Sequence, residues 1–209
     1  SDDEIKEAID SYQFNSKVSV ENYENIESEI AKLLAKGKIV ARFKGRMEFG
    51  ARALCNRSIL ANPSIPDVVK TINRMIKSRD FWMPFAPSMI NSERYIINPK
   101  KIKAPYMILT FDTKKEKIKI MNAAVHPYDE TCRPQEIYED WNPDCFRLIR
   151  EYERITGESV ILNTSFNLHG YPIVCAPKDA LYVFDNSGLE YLAIGNYLLA
   201  KVANGDNYD

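Results

Sequence analysis

The stretch IVARFKGRMEFGARALCNRSILANP, residues 39–63, changes character at its fifth residue. Ile39 to Phe43 is a short apolar run of the kind that forms a buried strand. It runs directly into a glycine- and arginine-rich segment from Gly45 to Pro63. Gly45 and Gly50 let the backbone approach a ligand closely, and Arg46, Arg52 and Arg57 stand around them. An arginine fork matches phosphate oxygens, so a loop of this composition after a strand end is a candidate phosphate cradle.

The flanking sequence supplies helices and further strands. Upstream, from Ser19, Tyr23, Ile26, Ile30, Leu33 and Leu34 recur at helical spacing, with Gly37 as a stop. Residues 1–18 are polar with one short helical pattern (Ile5, Ala8, Ile9) and read as a leader or linker. Downstream, a helix after Pro66 turns Val68, Val69, Ile72 and Met75 inward. Tyr106–Phe111 and Ile118–Val125 read as a hairpin around a lysine-rich turn. A helix from Pro143 to Ile155 stops at Gly157, Ser159–Leu162 is a buried strand, Lys178–Asn186 is a helix, and Leu189–Lys201 closes as a strand pair. Alternating helices and strands predict an α/β (α+β) class around a mixed sheet.

Several chemistries are excluded. With 209 residues, 45% hydrophobic and 27% charged, the chain can bury a full core. No apolar run reaches the roughly 20 residues of a membrane helix, so a soluble cytoplasmic protein without membrane partners is expected. Cys55, Cys132, Cys145 and Cys175 show no CxxC spacing, which argues against a zinc ribbon or a disulfide scaffold. His126 and His169 are the two histidines, so no three-histidine zinc site and no HExxH can be built. Neither a GxxxxGK[ST] loop nor a GxGxxG fingerprint occurs, and no protein metal site is expected.

The formal net charge of -1 conceals a concentration of positive residues. Between Arg42 and Arg79 nine basic residues face only Glu48 and Asp67. A local anion site explains this better than a nucleic-acid surface, given a pI near 6.2. Three more stretches carry polar groups suited to it. Lys77 and Arg79 precede the rigid Met83-Pro-Phe-Ala-Pro87, although a helix C-terminus would equally attract basic residues. The run from His126 to Gln135 gathers His126, Asp129, Thr131 and Arg133, as a binding loop or a polar surface loop would. After an apolar strand come Asn163, Ser165 and Asn167, which can bond phosphate oxygens and also favour turns.

Read together, the four stretches GRMEFGARALCNRSIL, KSRDFWMPFAP, HPYDETCRPQ and LNTSFNLHGYPIV resemble blocks of the C-terminal, YrdC-like domain of O-carbamoyltransferases that modify nodulation factors and antibiotics. The family patterns are GRMEFGPRALGxRSIL, KxRExxRPFAP, HxDGTxRxQ and LNTSFNxxGEPIV, and the resemblance covers about Lys36 to Lys201. Here Ala51 replaces Pro, Cys55 and Glu130 replace Gly, Met83 replaces Arg and Tyr171 replaces an acid; the third block is one residue longer.

The resemblance implies a twisted mixed sheet flanked by helices over residues 19–209, with ATP, Mg²⁺ bridging its phosphates, and carbamoyl phosphate as ligands. It implies formation of carbamoyl-adenylate, with Arg52, Lys77, Arg79 and Arg133 as catalytic groups. Arg46, Arg57, His126, Asp129, Thr131, Asn163, Ser165 and Asn167 would bind the nucleotide or carbamoyl phosphate. It implies as partner an N-terminal actin/hexokinase-like transferase domain of the same full-length chain, which passes the carbamoyl group to a hydroxyl. The absent Met and the linker-like start fit a piece of such an enzyme. A non-catalytic nucleotide-binding domain and an RNA-binding YrdC-like module are the alternatives.

Overall fold

The computed structural model describes residues 2–77 and 84–202, with Lys77 described by its backbone alone. In chain order the main elements are α1 (Asp2–Ser11), β1 (Val18–Asn22), α2 (Ile26–Ala35), β2 (Val40–Phe43), β3 (Arg57–Ala61) and α3 (Val68–Ile72). They continue with β4 (Ala86–Met89), β5 (Phe111–Asp112), β6 (Thr131–Cys132), β7 (Gln135–Glu136), α4 (Pro143–Thr156), β8 (Val160–Ser165), α5 (Pro177–Asp185), β9 (Tyr191–Ile194) and β10 (Tyr197–Lys201). Eight strands form one mixed sheet in the order β1-β10-β9-β2-β3-β8-β4-β7. β2 and β9 are parallel, as are β4 and β7, and the other neighbours are antiparallel.

Alternation along the central strands divides the core between the two faces. Ala41, Phe43, Ile59 and Ala61 pack with α1, α3 and α5. Val40, Leu60 and Ile161 pack with α2 and α4 on the other side. This is a mixed sheet flanked by helices, as expected of a YrdC-like domain. Inside the second face, Arg42 pairs with Glu27 at 3.1 Å, both almost wholly buried. One of the nine basic residues is thereby committed to the core, where removing either partner would strand a charge.

Four expectations are corrected. Residues 1–18 are no detached leader. Ile5, Ala8 and Ile9 of α1 are buried in the main core, and the Asp185 carboxylate accepts from the Asn15 backbone and side chain. Helix does not begin at Ser19. The β-branched Val18 and Val20 lie in β1 against β10, and α2 starts after Asn25, whose side chain accepts from the Ser28 N–H. The hairpin of 106–111 with 118–125 does not form. Met107 turns into the left-handed region (φ 57), Lys115–Lys117 and Asn122–Ala124 are 3₁₀ turns, and β5 pairs with β6 instead. Finally, Cys55 and Cys145 form a disulfide, a pairing across 90 residues that sequence spacing does not reveal. Strand β3, unforeseen within the arginine-rich segment, is buried along its whole length between β2 and β8.

Candidate functional site

The loop joining β2 to β3 is organised around Glu48. Its carboxylate accepts the N–H groups of Leu54 at 2.8 Å, Asn56 at 2.7 Å and Arg57 at 3.2 Å. Burial pushes this carboxyl above its ordinary pKa, against the pull of those three N–H groups and of Arg57. Arg57 works from inside. Its guanidinium donates to the carbonyls of Lys44, Gly45 and Asn56 and lies 3.6 Å over the Phe43 ring. It is 3% exposed, so it holds the loop rather than reaching into a ligand space.

Three further ties dock the loop. Gln135 Nε2 donates to the Leu54 carbonyl at 3.0 Å, and Asn142 donates to Asn56 Oδ1 at 3.1 Å. Asn142 also caps α4 through the Cys145 N–H, and Cys145 carries the disulfide to Cys55. Cys55 stands where the family pattern has glycine, and its φ of 92° keeps the left-handed turn that glycine would take without strain. Glu130, the other substituted glycine, likewise keeps a φ of 58°.

The loop carries Arg52 to a narrow cleft of about 80 Å³ shared with Arg133, Asn163 and Ser165. Pro84, Phe85, Ala86 and Arg133 also wall an adjoining cavity of about 380 Å³ that contains His126 and Thr131. Burial, and then the nearby charge of Arg52, hold the Arg133 guanidinium below its usual pKa. Among the described residues neither arginine has a carboxylate within ion-pair distance. Two like charges held together in this way suit a bound anion.

The remaining predicted residues fall into place unequally. On the rim, Asp129 accepts from the Thr131 N–H (3.1 Å) and hydroxyl (2.8 Å), and its carboxylate lies 3.1 Å from His126 Nδ1. The Thr131 bonds, and then His126, lower its pKa. Ser165 Oγ donates to Asn167 Oδ1 at 2.7 Å, and Asn167 Nδ2 donates to the carbonyls of Leu168 and Tyr171. Arg46 is exposed and lines neither cavity. Lys77 ends a π-helical turn, Asn73–Lys77, that follows α3; its side chain and Arg79 lie outside the described residues. A roomier cavity of about 600 Å³, lined by Lys101, Lys103 and Lys114, contains none of the predicted site residues.

Sequence reasoning missed Glu48 as the organiser, and Ser88, Gln135 and Asn142 as supports. For Glu48 a signal existed: it is the one acid between Arg42 and Arg57. The supports come from distant chain segments and had none.

Comparison with known proteins places these features in a family. Residues 31–201 match the family described as carbamoyltransferase C-terminus. An uncharacterized protein of Methanocaldococcus jannaschii is 38% identical over 95% of this chain and 33% of its own length. Nodulation protein NolNO of Sinorhizobium fredii is 33% identical over 88% of this chain and 27% of its own. The 3'-hydroxymethylcephem-O-carbamoyltransferase of Amycolatopsis lactamdurans is 31% identical over 80% and 32%. The chain therefore spans about a third of the length of these relatives. The structure of HypF from T. kodakarensis shares the fold, with a TM-score of 0.56 at 18% identity over 88% of this chain and 22% of that one. The chain belongs to the carbamoyltransferase C-terminal domain family.

Proposed function

We propose that this domain binds ATP and carbamoyl phosphate and forms carbamoyl-adenylate, which an N-terminal transferase domain passes to a hydroxyl acceptor in a cytoplasmic setting. The observation that carries the reading is the pairing of Arg52 and Arg133 in one cleft without a described carboxylate between them. Water takes the phosphate from carbamoyl phosphate, leaving carbamate. A carbamate oxygen then bonds to the α-phosphorus of ATP as the bond to pyrophosphate breaks. The reaction asks mainly for positioning and for positive charge on the phosphate oxygens. Arg52 and Arg133 supply that charge, with Lys77 and Arg79 as further proposed contributors. Ser165 and Asn167 orient phosphate oxygens, His126 and Thr131 line the adjoining cavity, and Asp129 holds Thr131 through two hydrogen bonds. Arg57 and Glu48 keep the loop in register. Mg²⁺, if bound, would be held by the triphosphate oxygens and would add to the positive charge that Arg52 and Arg133 supply.

ATP–pyrophosphate exchange that depends on carbamoyl phosphate tests the reading. Exchange in the wild type, lost in Arg133→Ala, is the expected result. ATP affinity by calorimetry without any exchange would leave a nucleotide binder and overturn the enzymatic reading.

A further inference from the structure

Ala51, Arg52 and Ala53 line one side of the arginine cleft, and the next three residues carry the ties that hold that side in place. The Leu54 carbonyl accepts from Gln135 Nε2, and Ser88 fixes Gln135 in turn by donating to its Oε1 at 2.6 Å. Asn56 Oδ1 accepts from Asn142. Between them the Cys55 N–H donates to Ser58 Oγ at 3.0 Å, and the Cys55 sulfur is bonded to Cys145 in the first turn of α4. The φ of 92° at Cys55 is one that glycine takes freely and a residue with a side chain takes at a cost. A glycine here would keep the turn with neither strain nor bond. This chain has the opposite arrangement, a strained turn closed by a covalent link.

We infer that this disulfide is a redox-sensitive latch on the cleft, with Cys55 and Cys145 as positioning residues for Arg52. Closed, it holds residues 54–56 against α4 in spite of the left-handed turn. Opened, it frees Cys55 to relax toward an ordinary φ, and Arg52, three residues earlier, shifts with it. Opening is a thiol–disulfide exchange with a dithiol. One thiolate of the reductant bonds to one of the two sulfurs, the Cys55–Cys145 bond breaks, and the departing sulfur takes up a proton. The second thiol then closes on the mixed disulfide, which leaves two protein thiols and the reductant as its own disulfide. Both sulfurs are wholly buried, so the exchange waits on local opening of the loop and is slow. The inference rests on the reading of the cleft as an anion site.

Calorimetry with ATP and with inorganic phosphate tests it, on wild type oxidised by glutathione disulfide and on wild type reduced by dithiothreitol, each held below its thermal midpoint. Thiol titration in denaturant fixes the state: two free thiols, Cys132 and Cys175, with the latch closed and four with it open. Reduction is expected to weaken both ligands by on the order of tenfold, the scale of releasing one strained residue. Cys55→Ser, strained and without the bond, is expected to bind like the reduced protein. Cys55→Gly, which takes the turn freely, is expected to bind more tightly than Cys55→Ser. A bond that served stability alone would lower the midpoint and leave the affinities level across all four forms. That result, or four thiols in the oxidised wild type, would overturn the inference and leave the functional reading intact. An oxidised wild type that binds neither ligand would overturn the functional reading and this inference with it.

Discussion

Arg133 and Arg52, more than 80 residues apart in the chain, line one cleft, where the charge of Arg52 works against that of Arg133. One sits between β6 and β7, the other at the end of the β2–β3 loop. Replacing Arg133 with Ala removes that repulsion together with one of the two guanidinium groups described in the cleft. Binding of ATP or inorganic phosphate should weaken by about 10- to 100-fold, the range of a lost charge-assisted bond. The thermal midpoint should stay level or rise. Calorimetry beside a melting curve reads both, and unchanged affinity would remove Arg133 from the site.

Glu48→Ala should do the reverse, damaging the fold first. Three N–H groups would lose their acceptor, at a cost of about 2–3 kcal/mol in urea unfolding. Anion binding should fall with it, because Arg52 rides on the same loop. Loss of stability with full anion affinity would show that the loop is not what positions Arg52.

The four cysteines should react in a fixed order. Cys175 is exposed and should alkylate in the native protein. Cys132 is buried, and burial pushes its thiol up to about 11, so it should resist at pH 8. Cys55 and Cys145 should react only after reduction, which mass spectrometry of labelled peptides will show. Opening a 90-residue loop on reduction should lower stability by roughly 2–5 kcal/mol. Such a bond persists in oxidising compartments and in hyperthermophile cytoplasm, and is rare in a mesophile's cytosol.

Glu158 gives a pH signature. Burial works against its charge, but Lys117 at 2.8 Å and Tyr95 at 2.8 Å outweigh that and hold the carboxyl below its ordinary 4.5. A carboxyl that loses its proton more readily in the folded state stabilises the fold fully above that ordinary value. The contribution disappears as pH falls through the lower folded pKa. Glu158→Gln should therefore destabilise the protein by about 1–2 kcal/mol at pH 7. The gap from wild type should close below about pH 4.5 in melting experiments.

Legibility from sequence followed the range of the interactions. Helix α4 was readable because Phe146, Ile149 and Tyr152 repeat at helical spacing and Gly157 ends it with a φ of 80°. The region from Tyr106 to Val125 was misread because its apolar residues serve a small cluster with Met89, Tyr95 and Val160 rather than a strand ladder. The leader was misread because α1 is polar on average; only its partners in α5 and β10 reveal that Ile5 and Ile9 are core.

Local order along the chain determined most of the helices, the central strands β2 and β8, and the residue types of an anion site, since these depend on spacing within one segment. Tertiary contact alone decided the division of labour among the basic residues. Arg42, Arg52 and Arg57 lie close together in the sequence. Yet one is paired with Glu27 in the core, one is spent on loop carbonyls, and one faces Arg133 in the cleft. The reason is physical: a guanidinium's role is set by which acceptors surround it, and here those acceptors come from segments distant in the chain.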